Sequence, residues 1–135
     1  MAEGPVRDTR AMIAGMRPVL MPGTYVFCAA PPGMSEVPPE ALASFREDEG
    51  LSLLLPIHAA AALELPTEPA MRRITLQVNS DLEGVGLTSA VAGALTDQGI
   101  PCNVIAALRH DHVFVPEALA GRALDTLEGL ASKAG

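Results

Sequence analysis

The chain has 135 residues, enough for one ordinary domain or two very small ones, and 49% of them are hydrophobic, enough for a packed core. Only 3% are aromatic and Trp is absent, so that core must be built from Ala, Leu, Val, Ile and Met. The net charge of −7 argues against a nucleic-acid phosphate partner and an anionic membrane surface, both of which need a basic face.

Thr9 is expected to cap a short helix with Met12, Ile13 and Met16 on one face. Met21-Pro22-Gly23 is a turn, and Thr24–Ala30 (TYVFCAA) reads as a strand. PPGMSEVPP, residues 31–39, is a rigid loop. Glu40–Glu49 reads as a helix that Gly50 ends, and Leu51–Ile57 as a buried strand. A short helix is expected over His58–Leu65 and a linker over Thr67–Ala70. Arg72–Asn79 alternates, with Ile74, Leu76 and Val78 on one face, and is predicted to be a strand. A loop, Ser80–Gly86, leads into a helix over Leu87–Gln98. Pro101–Leu108 and His112–Val115 form a hairpin around Arg109-His110-Asp111. Pro116 opens a last helix, with Ala120, Ala123, Leu124, Leu127 and Leu130 at helical spacing. The carboxy-terminal half is therefore β-α-β-β-α, short of one final strand.

A weak internal repeat runs at a separation of 49 residues. Thr24–Ala29 falls onto Arg73–Val78, and Ala41, Ala43, Asp48, Gly50 and Leu51 fall onto Ala90, Ala92, Asp97, Gly99 and Ile100. The repeat predicts two related units, 1–66 and 67–135, with the first abbreviated.

The stretch Glu83–Asn103, EGVGLTSAVAGALTDQGIPCN, carries the most information. Leu87, Ala90, Val91, Ala94 and Leu95 make one apolar helical stripe; Gly99 suits a left-handed cap, and Pro101 begins a strand. Glu83, Gly86, Val91, Leu95, Gly99 and Ile100 stand at the spacing of the ACT domain's pattern, and this passage resembles that family. Glu83 stands where Asp is more usual, and no proline precedes Gly86. PGTYVFC, FREDEGLSLLLP, RRITLQVNSDLEGVGLT, GIPCNVIA and HDHVFVP extend the likeness to the bacterial tandem ACT-domain proteins over most of residues 20–116. The resemblance implies an α+β fold, two ferredoxin-like βαββαβ units in tandem. It also implies a non-catalytic regulatory role, binding or sensing a small-molecule ligand such as an amino acid, and a homodimer.

The candidate binding segment is Asn79, Ser80, Asp81, Glu83, Gly84, Val85, Gly86 and Leu87. Glycines before a helix open backbone N–H groups, and the helix end favours a carboxylate. Asp81 or Glu83 would face the ammonium of the same ligand. Asn103, Val104, Ile105 and Ala106, on the strand that follows the same helix, are expected to form a neighbouring wall. The plainer alternative is that Ser80 and Glu83 form a capping box and the glycines only turn the chain.

Arg109-His110-Asp111-His112 places two imidazoles on one strand face, but no further Cys or His completes a metal set. No catalytic residue, metal site or cofactor is expected. Cys28 and Cys102 read as buried, reduced thiols that behave as small hydrophobes. The amino terminus lacks an apolar signal core and no apolar run could span a bilayer, so a cytoplasmic protein is the expectation. Two other readings stay open: a ligand-free dimerisation or interaction module with an unidentified protein partner, and a small enzyme using Arg109–His112.

Overall fold

A computed structural model describes residues 8–78 and 85–135. They form two compact units: Gly23–Met71, and the flanking stretches up to Pro22 and from Arg72.

The unit from Gly23 to Met71 is a three-stranded antiparallel sheet with one short helix. Its strands are β2 (Tyr25–Ala29), β3 (Ala43–Glu47) and β4 (Gly50–Pro56), in the order β3-β4-β2. The helix follows β4 directly, over Ile57–Ala62 (α2). Strand alternation puts Val26, Leu53 and Leu55 on the face that Ala59 and Ala60 of α2 cover, and these five form the unit's buried core.

The helix expected over Glu40–Glu49 is corrected: Ala43–Glu47 is a strand and Gly50 already belongs to the next one. Ala, Glu and Arg favour helix, but the apolar run Leu51–Leu55 presents unpaired backbone that needs a neighbour. β3 supplies it, in the register Ala43↔Leu54, Phe45↔Ser52 and Glu47↔Gly50. Gly50 takes φ +141°, which closes this tight hairpin and which a side chain would resist. The Ser52 hydroxyl hydrogen-bonds the Glu47 carboxylate across the pair. Phe45 is 72% exposed, so this segment has no buried helical stripe.

The correction also removes half of the 49-residue repeat, because residues 43–47 are strand where 92–96 are helix. The structure suggests a different correspondence. Leu53-Leu54-Leu55-Pro56 before α2 falls onto Val113-Phe114-Val115-Pro116 before the last helix, a separation of 60.

The other unit carries β5 (Met71–Leu76) from Arg72 onward, then α3 (Leu87–Asp97), β6 (Asn103–Ala106), β7 (Asp111–Pro116), a 3₁₀ turn at Glu117–Leu119 and α4 (Ala120–Ala134). These follow the β-α-β-β-α order read from the sequence. The strand missing from that order comes from the amino terminus. A short helix, α1 (Thr9–Ala14), leads to β1 (Pro18–Leu20), which pairs antiparallel with β5 in the register Pro18↔Leu76, Val19↔Thr75 and Leu20↔Ile74. The order is β1-β5-β7-β6, the ferredoxin-like order with a donated fourth strand.

The core of this unit lies between the sheet and its helices. Ile74 and Leu76 of β5 and Val113 and Val115 of β7 meet Val91 and Leu95 of α3, Ala123 and Leu127 of α4, and Met12 and Met16 from the amino-terminal segment. Asp8, not Thr9, is the cap of α1; its carboxylate accepts from Ala11 N–H at 2.8 Å. Both residues suit a cap, and the shift by one frees the Thr9 hydroxyl for a longer-range partner. No described helix is long and apolar enough to cross a membrane.

Leu127 is fully buried and Phe45 largely exposed, so truncation should separate them. Leu127→Ala is expected to cost about 2–5 kcal/mol through lost contacts and a cavity. Phe45→Ala should change stability by no more than about 0.5 kcal/mol. Urea unfolding of the two variants measures both; an equal cost would contradict this placement of the core and the hairpin.

Candidate ligand-binding site

The expected site falls where β5 hands the chain to α3. Asn79, Ser80, Asp81, Glu83 and Gly84, and with them the proposed Ser80–Glu83 capping box, lie outside the described residues. Val85, Gly86 and Leu87 are described. Gly86 is the residue before the helix, with φ +102°, a left-handed conformation open to glycine and costly for a β-branched residue. Glycine has no side chain to accept from the first turn, and that turn contains no acidic residue. Among the described residues no side chain caps the amino end of α3, where free backbone N–H groups and the helix field favour an acceptor. Val85 is 76% exposed, and Thr88 and Ser89 are exposed too, whereas Leu87 turns into the core.

Thr9 braces this end. Its hydroxyl donates to the Val85 carbonyl, and a Cβ added at Gly86 would lie 2.8 Å from its methyl carbon. A trans peptide points its C=O and N–H in opposite directions. Holding the Val85 carbonyl toward Thr9 thus turns the Gly86 N–H away from it.

The strand order does not put Asn103, Val104, Ile105 and Ala106 next to β5. β7 lies between, so β6 is two strand spacings, ~10 Å, from β5 in its own unit. Asn103 and Ala106 are exposed, Val104 and Ile105 half-buried, and among the described residues β6 pairs with β7 alone.

The hairpin residues divide by strand face. Thr75 Oγ1 and His112 Nδ1 share a hydrogen bond at 3.0 Å, and His110 Nδ1 lies 3.5 Å from the Val78 carbonyl. Burial, then the charges of Arg73 and His110, hold His112 below the ordinary imidazole range. Asp111 points the other way and is only 6% exposed; burial raises its pKa, and His110 partly offsets this. The sequence suggested a turn residue here. Its alternation with Val113 and Val115 was the signal that it faces inward. Among the described residues no group of three or more His, Cys, Asp or Glu could hold a metal ion. Cys28 and Cys102 are free but only partly buried, not fully buried as expected, and the burial they have raises the pKa of both thiols.

Two measurements follow from this geometry. Gly86→Val should cost about 1–3 kcal/mol through backbone strain and the clash with Thr9. Adding Thr9→Ala should recover the steric part but not the strain, so a double-mutant cycle will show coupling. An additive pair would contradict the contact. For His112, the unfolded chain takes up a proton near the ordinary value of 6.5 while the folded chain resists it. The stability this group contributes is thus present above pH 6.5 and lost as pH falls through its lower folded value. Urea melts from pH 7.5 to 5.5 should show a decline that is smaller in His112→Asn.

Comparison with known proteins agrees with the architecture. ACT-domain family models match residues 5–72 and 69–129. A crystal structure of a protein of unknown function from Vibrio cholerae, described as a possible transport protein, is 41% identical; the match covers 90% of this chain and 94% of that one, at a TM-score of 0.80. A protein from Agrobacterium tumefaciens is 18% identical over 81% of this chain and 84% of its own, at a TM-score of 0.61, a likeness of fold alone. None of the curated proteins matches the sequence. ACT domains are typically regulatory, ligand-binding modules rather than catalytic ones. With two such matches end to end and a relative alike over nine-tenths of its length, this chain belongs to the ACT-domain family.

Proposed function

We propose that this is a non-catalytic regulatory protein that binds a free amino acid at the amino end of α3. The observation that carries the reading is the left-handed Gly86 at a helix end that no described side chain caps, in a tandem ACT-domain chain. The ligand carboxylate sits on the backbone N–H groups around Val85–Leu87, where donors and helix field converge. Its ammonium meets Asp81, Glu83 or a backbone carbonyl, and Asn79, Ser80 and Gly84 complete the loop.

The active form on this reading is a cytoplasmic homodimer. A second chain supplies the wall Asn103–Ala106, because in its own unit that segment is separated from β5 by β7. The far edge of β6, unpaired among the described residues, suits a twofold, isologous contact. No cofactor takes part, and any output passes through a protein partner. One observation favours a second reading, a ligand-free interaction module: Phe27 and Phe45 are exposed on one sheet face of the other unit.

A thermal-shift screen against the twenty amino acids tests the choice. Ligand at ~100 times its Kd should add about 2.7 kcal/mol to native stability. Asp81→Asn with Glu83→Gln should weaken the best binder by about 1.5–3 kcal/mol. Light scattering of the same samples should give twice the 14.0 kDa chain mass. A monomer that no amino acid stabilises would leave the ligand reading without support.

A further inference from the structure

Residues 34–40 of the unit Gly23–Met71 and its helix α2 border an open groove of about 310 Å³. Its apolar lining is Met34 and Val37 from the crossing, and Ala59, Ala62 and Leu63 from α2 and the residue after it. Met34 packs against the buried cluster around Val26, and Ala59 belongs to that cluster, so the floor is the outside of the unit's core. Val37 and Leu63 remain 43% and 36% exposed. Large apolar side chains gathered at a concave surface mark an interaction site.

Both walls are held by the backbone. Met34 N–H donates to the Pro31 carbonyl at 3.1 Å and Ala41 N–H to the Pro38 carbonyl at 3.0 Å, closing two turns of the crossing. Ala30 N–H bonds the Leu51 carbonyl and Leu42 N–H the Leu54 carbonyl, each at 2.8 Å, and these tie both ends of the crossing to β4. Pro38 and Pro39 fix their own φ. On the other wall, Leu65 N–H returns to the Ala60 carbonyl at 2.9 Å. A groove set in this way loses little entropy when it is filled.

The charge on the rim is of one sign. Glu36 and Glu40 line the groove and are exposed, and none of the lining residues is basic. An apolar floor with two carboxylates at its rim is complementary to a side chain with an apolar stem and a cationic head. Lysine and arginine both have that form. Arginine fits better, because its guanidinium is the more weakly hydrated and offers several donors to two carboxylates at once. A bare cation would use the carboxylates and leave the apolar floor uncovered.

We propose that this groove is an interaction surface for a protein partner, and that it takes an arginine side chain from an exposed segment of that partner, whose apolar neighbours lie on Val37 and Leu63. The proposal rests on the reading above only for the existence of a protein partner; every residue of the groove belongs to the unit Gly23–Met71, and none to the amino-acid site.

The probes are acetyl-Leu-Arg-Leu-amide and the same peptide with citrulline, a neutral near-isostere of arginine. Each is titrated into the isotope-labelled full chain with no amino acid present. The arginine peptide should shift the amide resonances of Met34, Val37, Glu40 and Leu63. It should bind about fivefold more tightly than the citrulline peptide, the scale of one well-formed surface ion pair. Glu36→Gln with Glu40→Gln should remove that preference; both residues are exposed, so the fold is retained. The proposal is overturned by an absence of shifts, by shifts confined to other residues, by equal affinity for the two peptides, or by a preference that survives the double substitution. Each of these outcomes leaves the amino-acid reading standing, since the thermal-shift screen decides that separately.

Discussion

The pairing of β1 with β5 is the constraint on which the carboxy-terminal unit depends. A β-α-β-β-α segment without a final strand leaves one edge of β5 open, with a row of unpaired N–H and C=O groups. Pro18–Leu20 closes that edge, and bonds from Gln77 N–H to the Met16 carbonyl at 2.6 Å and from Met21 N–H to the Arg73 carbonyl at 2.8 Å extend the ladder at both ends. Once the strand is seated, the helix before it has one place to go. Met12 and Met16 enter the core, α1 packs on α3 and α4, and Thr9 reaches the peptide that precedes α3. The candidate site thus owes its geometry to residues more than seventy positions away.

The unit from Gly23 to Met71 meets the same need by another route. It has no helix between its first and second strands; residues 30–42 cross with four prolines and no regular structure. With that helix absent, α2 covers the sheet face formed by Val26, Leu53 and Leu55, and Met34 and Ala41 of the crossing pack against the same cluster. β3 pairs with β4 even though its composition favours helix, because an open edge on the apolar β4 is worse than a weak strand former in its proper register.

Charge in the carboxy-terminal unit follows strand alternation. His110, Asp111 and His112 are consecutive, yet the period of two sends the carboxylate to the helix side of the sheet and His112 to the side of Thr75. Burial acts on both in the direction of neutrality, raising the acid and lowering the base. Asp111 is the one of the three that shares the core face with Val113 and Val115.

Much of this was legible in the residues themselves. The stripe Leu87–Leu95 fixed α3 to within a residue, the alternation of Ile74 and Leu76 fixed β5, and Pro116 marked the last helix, because each is a local pattern with a local cause. The family, too, could be read from Gly86, Gly99 and Ile100 at their spacing. The sequence misled where a distant partner outweighed local preference. Phe45 and its neighbours form a strand because Leu51–Leu55 lies opposite, and Pro18-Val19-Leu20 is too short to signal a strand until β5 is there to pair with it. The role of Thr9 belongs to the same class. Its hydroxyl is a plausible cap by sequence and a brace for Val85 by structure, and only the packing of α1 on α3 decides between them. Local chemistry determined the elements; backbone pairing and burial across the chain decided which of them complete one another.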